Sequence, residues 1–236
     1  MIIPHANIDF ILVNYYSEDY ARIAVESIYR YTKSEFNIIL IDNSADKALL
    51  KNAFAEYIDR KNLHIIPGFD QESPAERFTR PIKMYNTEGG VYGPGSLHHN
   101  KAFNLGIDLC NSNYICHLDI DSLFLAEWET DILPILDNDL FVASEMSKGI
   151  AREYFMIWKR SEFEKYNLRP DLSYVDTCGN LTKFANDHNL TYKITRKLSN
   201  DEYYHYHLGR GTSLEQYGQT SKKQEYIDKW NNFFNI

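Results

Sequence analysis

The sequence predicts an α/β fold, a mostly parallel central sheet flanked by helices, formed by one domain of 236 residues. Two observations predict it. Short apolar runs, long enough for a buried strand and too brief for a helix, alternate with stretches whose apolar residues recur at helical spacing. Strand, helix, strand, helix, strand in succession is also the signature of βαβ units, which build parallel sheets through right-handed crossovers.

The first run is IDFILV, residues 8 to 13, and it stops at Asn14-Tyr15-Tyr16. Residues 17 to 31 read as a helix that Ser17 can cap, with Ala21, Val25, Ile28 and Tyr29 on one side. NIILI, residues 37 to 41, is a second buried strand and ends in Asp42-Asn43-Ser44. A helix carrying Leu49, Leu50, Ala53, Phe54 and Tyr57 follows, then a brief strand at His64 to Ile66. Between residues 68 and 96 prolines and paired glycines break the pattern, as in a long loop or lid, and such loops in compact domains are often functional. A helix is expected from Asn100 to about Cys110, and YICHL, residues 114 to 118, is a strand that delivers Asp119-Ile120-Asp121. Further on, residues 128 to 136 look helical, 140 to 143 and 155 to 158 strand-like, 181 to 188 helical, 192 to 194 a short strand and 226 to 234 a closing helix. The sequence reads as one domain with two halves, 1–125 and 126–236, and has no linker clean enough to separate them.

A hydrophobic fraction of 44% supports a real core, and a net charge of -8 argues against nucleic acid as the main partner. A phosphate ligand stays open, because a bound cation inverts the local field. The 18 Tyr and 13 Phe suit the packing of sugar rings as well as an ordinary core. Cys110, Cys116 and Cys178 show no zinc spacing and read as reduced thiols. The first residues lack the pattern of a signal peptide, and no stretch reaches the ~18 apolar residues of a transmembrane segment. These features lead us to expect a soluble, cytoplasmic protein.

The strongest local signal is LDIDSLF, residues 118 to 124. Two carboxylates one residue apart, just past a buried strand, lie where open α/β sheets bind ligands. Oxygen ligands there suit Mg2+ or Mn2+, ions commonly shared with substrate phosphates. Taken alone, an Asp-x-Asp triplet is common, and turn aspartates also cap helices.

Its setting adds to the signal. Asn14-Tyr15 after the first strand, Asp42-Asn43-Ser44 after the second, the helical segment Asn100-Lys101-Ala102-Phe103-Asn104-Leu105-Gly106 and then Asp119-Ile120-Asp121 occur in that order. This succession resembles the family 2 glycosyltransferases of GT-A fold, clearly over the first half of the chain and more loosely over the second. The resemblance implies that Asn14 and Tyr15 contact the base or ribose of a nucleotide-sugar and that Asp42 accepts hydrogen bonds from it. Lys101 and Asn104, near a helix start that favours phosphate, would face the diphosphate or the sugar. Asp119 and Asp121 would hold Mn2+ or Mg2+, which stabilises the leaving diphosphate.

In the second half, YVDTCGNLTKF resembles the family segment in which an acidic residue precedes the acceptor-facing helix, with Asp176 in that place as general base. The family more often has two consecutive acids there, whereas Val175 precedes Asp176 here. HYHLGRGTS resembles the late loop in which a histidine completes the metal site, which implicates His207 rather than His205. Arg210, flanked by Gly209 and Gly211, would clamp the diphosphate. No role is assigned to His98 or His99.

The expected activity is therefore metal-dependent transfer of a glycosyl unit from a nucleoside diphosphate sugar, UDP-sugars being commonest in the family, to a glycan or other hydroxyl acceptor, with inversion. Two rivals are a sugar nucleotidyltransferase and a non-catalytic carbohydrate-binding protein of the same fold. The first normally has a Gly-rich loop after its first strand, where this chain has the Gly-free NYYSEDY. Loss of the acidic pair would favour the second, and the pair is present.

Overall fold

A computed structural model describes residues 3–57, 59–71, 85–87, 90–92, 94–147, 149–152, 154–174, 177–207 and 220–236. In chain order the elements are β1 (Ile8–Asn14), α1 (Glu18–Tyr31), β2 (Phe36–Ser44), α2 (Lys47–Ala53), β3 (Leu63–Gln71), β4 (Tyr85–Thr87), β5 (Gly90–Tyr92), α3 (Pro94–Leu109), β6 (Tyr114–Leu118) and β7 (Ser122–Phe124). They continue as α4 (Glu129–Ile132), β8 (Phe141–Ala143), β9 (Met146–Ser147), β10 (Ile150–Ala151), β11 (Phe155–Lys159), α5 (Arg160–Lys165), α6 (Gly179–Asp187), β12 (Lys193–Ile194), β13 (His205–His207) and α7 (Thr220–Phe234).

The central sheet has seven strands in the order β12-β8-β11-β6-β1-β2-β3. β1 runs parallel to β2 and to β6, and β2 to β3, so four neighbouring strands end at the same edge. β11 is antiparallel to both β6 and β8. The sheet is thus mostly parallel, as the βαβ pattern predicts.

Alternation of side chains along the strands builds a core on each face. Phe10, Leu12, Ile38 and Leu40 pack with Ala21, Val25, Leu50 and Trp128 on one side. Ile11, Val13, Ile39 and Ile41 pack with Ala102, Phe103 and Trp158 on the other. α7 closes against α1 and β7 through Ile23, Leu123, Trp230 and Phe234. Among the described residues, no helix is long and apolar enough to cross a membrane.

At the amino-terminal end of the sheet, Asp9 is fully buried and its carboxylate collects four hydrogen bonds. Oδ1 accepts from Asn37 Nδ2 at 2.8 Å and Ser112 Oγ at 2.7 Å. Oδ2 accepts from the backbone N–H of Asn111 at 2.8 Å and of Ser112 at 2.9 Å. One side chain thereby ties β1 to the start of β2 and to the turn that feeds β6. On the α3 face, Gly106 lies so close to β1 that a Cβ there would come within 2.5 Å of Ile11 Cγ2. The helix rests on the sheet at a distance that only glycine allows.

The structure departs from the sequence expectations in several places. β3 continues past Pro67-Gly68 to Gln71, and residues 85–87 and 90–92 form a hairpin, so part of the expected 68–96 loop is ordered strand. α3 starts at Pro94, where proline suits a first helical turn, rather than at Asn100. The expected helix over 128 to 136 is one short α-turn continued as a 3-10 helix over Leu133–Asp137, with Pro134 at the change. Ser17 stands at the N-cap of α1 without capping it: its hydroxyl donates to Tyr15 O at 3.2 Å.

Replacing Asp9 by Ala strips four donors, three of them buried, of their acceptor and is expected to cost about 3 kcal/mol or more, read as a lower urea midpoint at unchanged slope. Gly106→Ala is expected to cost about 1–3 kcal/mol through overpacking. That cost should shrink when Gly106→Ala is made in an Ile11→Ala background; additive costs would show that the close contact is not its source.

Candidate functional site

The parallel strands bring Asn14, at the end of β1, directly opposite Asp42 on β2. Both side chains are buried, and Asn14 Nδ2 donates to Asp42 Oδ1 at 3.0 Å. The Ser44 backbone N–H donates to the same oxygen at 3.0 Å, and among the described residues no hydrogen bond falls on Oδ2. Asn14 Oδ1 accepts from the Ser17 N–H at 3.2 Å, and Ser44 Oγ accepts from the Tyr16 N–H at 2.9 Å. Tyr16 has φ 49, in the left-handed region that side chains rarely adopt, and these bonds hold it there. The Tyr15 ring meets the Tyr16 ring edge-on at 5.2 Å. Burial raises the pKa of the nearby Glu18 carboxyl, partly opposed by hydrogen bonds from its own backbone N–H and from Asn14.

Asn43 links this edge to the next elements. Its Oδ1 accepts from the Phe69 N–H at 2.9 Å and its Nδ2 donates to His98 O at 3.2 Å. A Cβ on Gly68 would fall 2.3 Å from Asn43 Oδ1 and 3.0 Å from the Asp42 carbonyl, so glycine is required for β3 to pass the end of β2.

Beyond β6 the chain turns tightly, with the Ser122 N–H donating to Asp119 O at 2.9 Å, and enters β7. β7 pairs antiparallel with β13, placing His207 opposite Ser122 and next to Asp121. His207 Nε2 lies 3.2 Å from Asp121 Oδ1. The His207 ring stacks on Tyr154, centroids 3.6 Å apart and planes 17° from parallel, while the Asp119 N–H donates to Tyr154 O at 3.0 Å. One residue therefore braces both the imidazole and the carboxylate-bearing turn. Burial of His207 works to lower its pKa, but the Asp121 hydrogen bond and the charges of Asp121 and Asp119 outweigh it and raise the net value. His205 sits in the core, where burial, reinforced by His207 and Arg196, pushes its pKa down to about 3 and keeps it neutral.

Asp119, Asp121 and His207 each offer one donor atom within 4.8 Å of the others. Two carboxylate oxygens and one imidazole nitrogen fit a divalent ion such as Mn2+. A second cluster shares Asp119: His99 Nε2 is 4.0 Å and His117 Nε2 3.8 Å from Asp119 Oδ1.

No family model matches the chain, and no curated protein matches it in sequence. Solved structures do match its fold. The mannosyltransferase PcManGT from Pyrobaculum calidifontis, in complex with GDP-Man and Mn2+, is similar with a TM-score of 0.55 and 13% identity, over 81% of this chain and 55% of that one. S. aureus TarS 1-349 is similar with a TM-score of 0.56 and 13% identity, over 86% of this chain and 61% of its own. Its complex with UDP-GlcNAc gives 0.53 and 14% identity, over 85% and 58%. The fold is GT-A. This chain spans between 55% and 61% of the length of these three structures.

Within the GT-A frame, the site residues expected from the sequence are distributed unevenly. Asn14, Tyr15 and Asp42 share the ends of β1 and β2, and Asp119, Asp121 and His207 form one cluster. Lys101 is exposed on α3, its ammonium 6.0 Å from the Phe69 ring centroid. Asn104 has a task in the fold: its Nδ2 donates to Pro170 O at 2.8 Å and to Asn100 O at 3.0 Å, and Asn100 donates to the same Pro170 oxygen at 3.0 Å. Those asparagines fasten α3 to the segment ahead of α6, so any ligand contact from Asn104 falls to Oδ1. Asp176 and Arg210 lie outside the described residues. Sequence reasoning passed over Tyr154 and His117, and it assigned no role to His99. For His117 a signal was present, a histidine inside the apolar strand YICHL two residues before Asp119.

Proposed function

We propose that this chain is a glycosyltransferase that moves a sugar from a nucleoside diphosphate sugar to a hydroxyl acceptor. The observation that carries the proposal is the Asp119–Asp121–His207 cluster at the carboxyl edge of a GT-A sheet. It stands in the same row of strand ends as the Asn14–Asp42 pair. Similar structures hold GDP-Man with Mn2+ in one case and UDP-GlcNAc in another. A nucleoside diphosphate is common to both ligands, while the base and sugar differ. UDP remains the expectation for this chain from the family resemblance.

Asp42 Oδ2 would accept a hydrogen bond from the base or ribose, in a carboxylate whose other oxygen is already fixed by Asn14 and Ser44. Tyr15 would supply an aromatic face beside it. Asp119, Asp121 and His207 would hold Mn2+, or less favourably Mg2+, which when bound neutralises charge on the leaving diphosphate. Tyr154 keeps the His207 ring in place for that task. Lys101 and Asn104 would border the diphosphate or sugar from α3, and Arg210 would clamp the diphosphate in a bidentate contact. Asp176 would take the proton from the acceptor hydroxyl as its oxygen attacks the anomeric carbon. The carbon–oxygen bond to the diphosphate breaks in the same step, the diphosphate leaves with the electron pair, and the anomeric configuration inverts.

Asp121→Ala should abolish the Mn2+-dependent part of nucleoside diphosphate binding while the thermal midpoint stays within a few degrees. Unchanged affinity in a Mn2+ titration would sink the cation assignment. Asp176→Asn should lower turnover by about 10²–10⁴-fold with donor Kd nearly unchanged; a parallel loss of binding and turnover would mark the residue as structural.

A further inference from the structure

Asp119 belongs to two clusters, and the second has its own chemistry. His99 comes from the first half of α3 and His117 is the last residue but one of β6. Their Nε2 atoms lie 4.0 Å and 3.8 Å from Asp119 Oδ1, and one donor atom from each of the three residues lies within 4.8 Å of the others. These separations exceed a hydrogen bond. They approach the spacing of atoms that share an ion: two ligands about 2.1 Å from a tetrahedral centre sit roughly 3.4 Å apart.

The positions are set by packing. His117 is wholly buried, paired in the sheet with Ile11 on one side and Met156 on the other. The Phe103 ring covers it at 4.1 Å between centroids, and the His99 ring meets it edge-on at 5.5 Å. Residues 99 and 103 are one helical turn apart on α3, so the same helix face that seals the core also aims an imidazole at Asp119. Asn43, through its bond to His98 O at 3.2 Å, fixes this stretch of α3 beside the strand ends.

We propose that His99, His117 and Asp119 form a second cation site, distinct from the set Asp119, Asp121 and His207. Two imidazoles and one carboxylate select a borderline ion of the Zn2+ class, whereas the first set, richer in oxygen, favours Mn2+. Asp119 has two oxygens and serves both sites. The second ion ties α3 to the end of β6, across the line where the donor site is built. Of the residues in the proposed function, the inference uses only Asp119.

The test is equilibrium dialysis of the 236-residue chain with Co2+, a visible probe for a Zn2+ site, on wild type, His99→Gln and His207→Gln, with thermal midpoints measured alongside. Two bound ions are expected for wild type. His99→Gln should weaken one of them by more than the roughly 10–100-fold that an outer-sphere partner is worth, with loss of its ligand-field absorption, and His207→Gln should spare that ion. The Co2+-induced rise in thermal midpoint should shrink in His99→Gln in step with the lost ion. A single ion lost in His207→Gln and kept in His99→Gln overturns the second site and leaves the first intact. A single ion lost in His99→Gln and kept in His207→Gln upholds the second site and removes His207 from the first. A single ion lost in both variants makes one shared centre and overturns the division into two, as does no binding at all. Should His99→Gln fail to fold by circular dichroism, Ser96→Cys carrying a spin label one helical turn nearer the amino end of α3 gives the answer on an otherwise wild-type site. Paramagnetic broadening by a Co2+ ion that persists in His207→Gln supports the inference, and its disappearance there overturns it.

Discussion

β1 is pinned at both ends by buried side chains, and the rest of the molecule is arranged around that strand. At its foot the Asp9 carboxylate gathers the donors that begin β2 and precede β6. At its head Asn14 reaches across to Asp42. A buried carboxylate of this kind holds its place only while its donors stay in register, so it specifies which strands flank β1 and where they start. With the starts aligned and the strands parallel, β1, β2 and β6 end together. Asn14, Asp42 and Asp119 are brought to one edge by that geometry and need no loop to gather them.

The edge so formed is strongly acidic, and the structure handles the charge with imidazoles. Asp121 has His207 at 3.2 Å, and Asp119 has His117 and His99 at 3.8 and 4.0 Å. A Lys or Arg in these places would compete permanently with a cation for the carboxylates. Imidazole can pair with a carboxylate when protonated and become a ligand when neutral. His207 shows the balance: burial would make it a weaker base, and the adjacent carboxylates outweigh that effect.

What could be read from the sequence follows from physical range. β1, β2 and β6 were legible because strands buried on both faces are continuous apolar runs, and their ends were legible because Asn, Asp and Ser interrupt them. The turns at Asn14 and Asp42 and the Asp119–Asp121 pair were therefore placed correctly at one edge. β7 and β13 were not legible: each has three residues, and their pairing joins positions more than 80 apart in the chain with no periodicity to announce it. α3 was misjudged at its start because Pro94 and Gly95 resemble loop punctuation, and with that turn His99 was lost. Asn104 carried a resemblance to a ligand residue, yet its amide is engaged with Pro170, a partner 66 residues away that no local pattern reveals.

The contrast between His207 and His205 shows how the cluster depends on the far end of the chain. Both histidines lie on β13, and pairing alone decides their fates: His205 sits opposite Phe124 within the core, and His207 opposite Ser122 at the carboxylates. A slip of two residues in that short ribbon would put one histidine in the other's place and carry the second out of the pairing. Three residue pairs are too few to hold register by themselves. The ribbon is held from outside, by Leu123 packed with Ile23, Trp230 and Phe234 and by the Tyr204 ring buried against Phe155. The closing helix α7 thus supports the Asp119–Asp121–His207 cluster although it contributes no residue to it. Loosening Trp230 would reach the cluster through both strands of the ribbon, by way of Leu123 on β7 and the Tyr206 ring on β13.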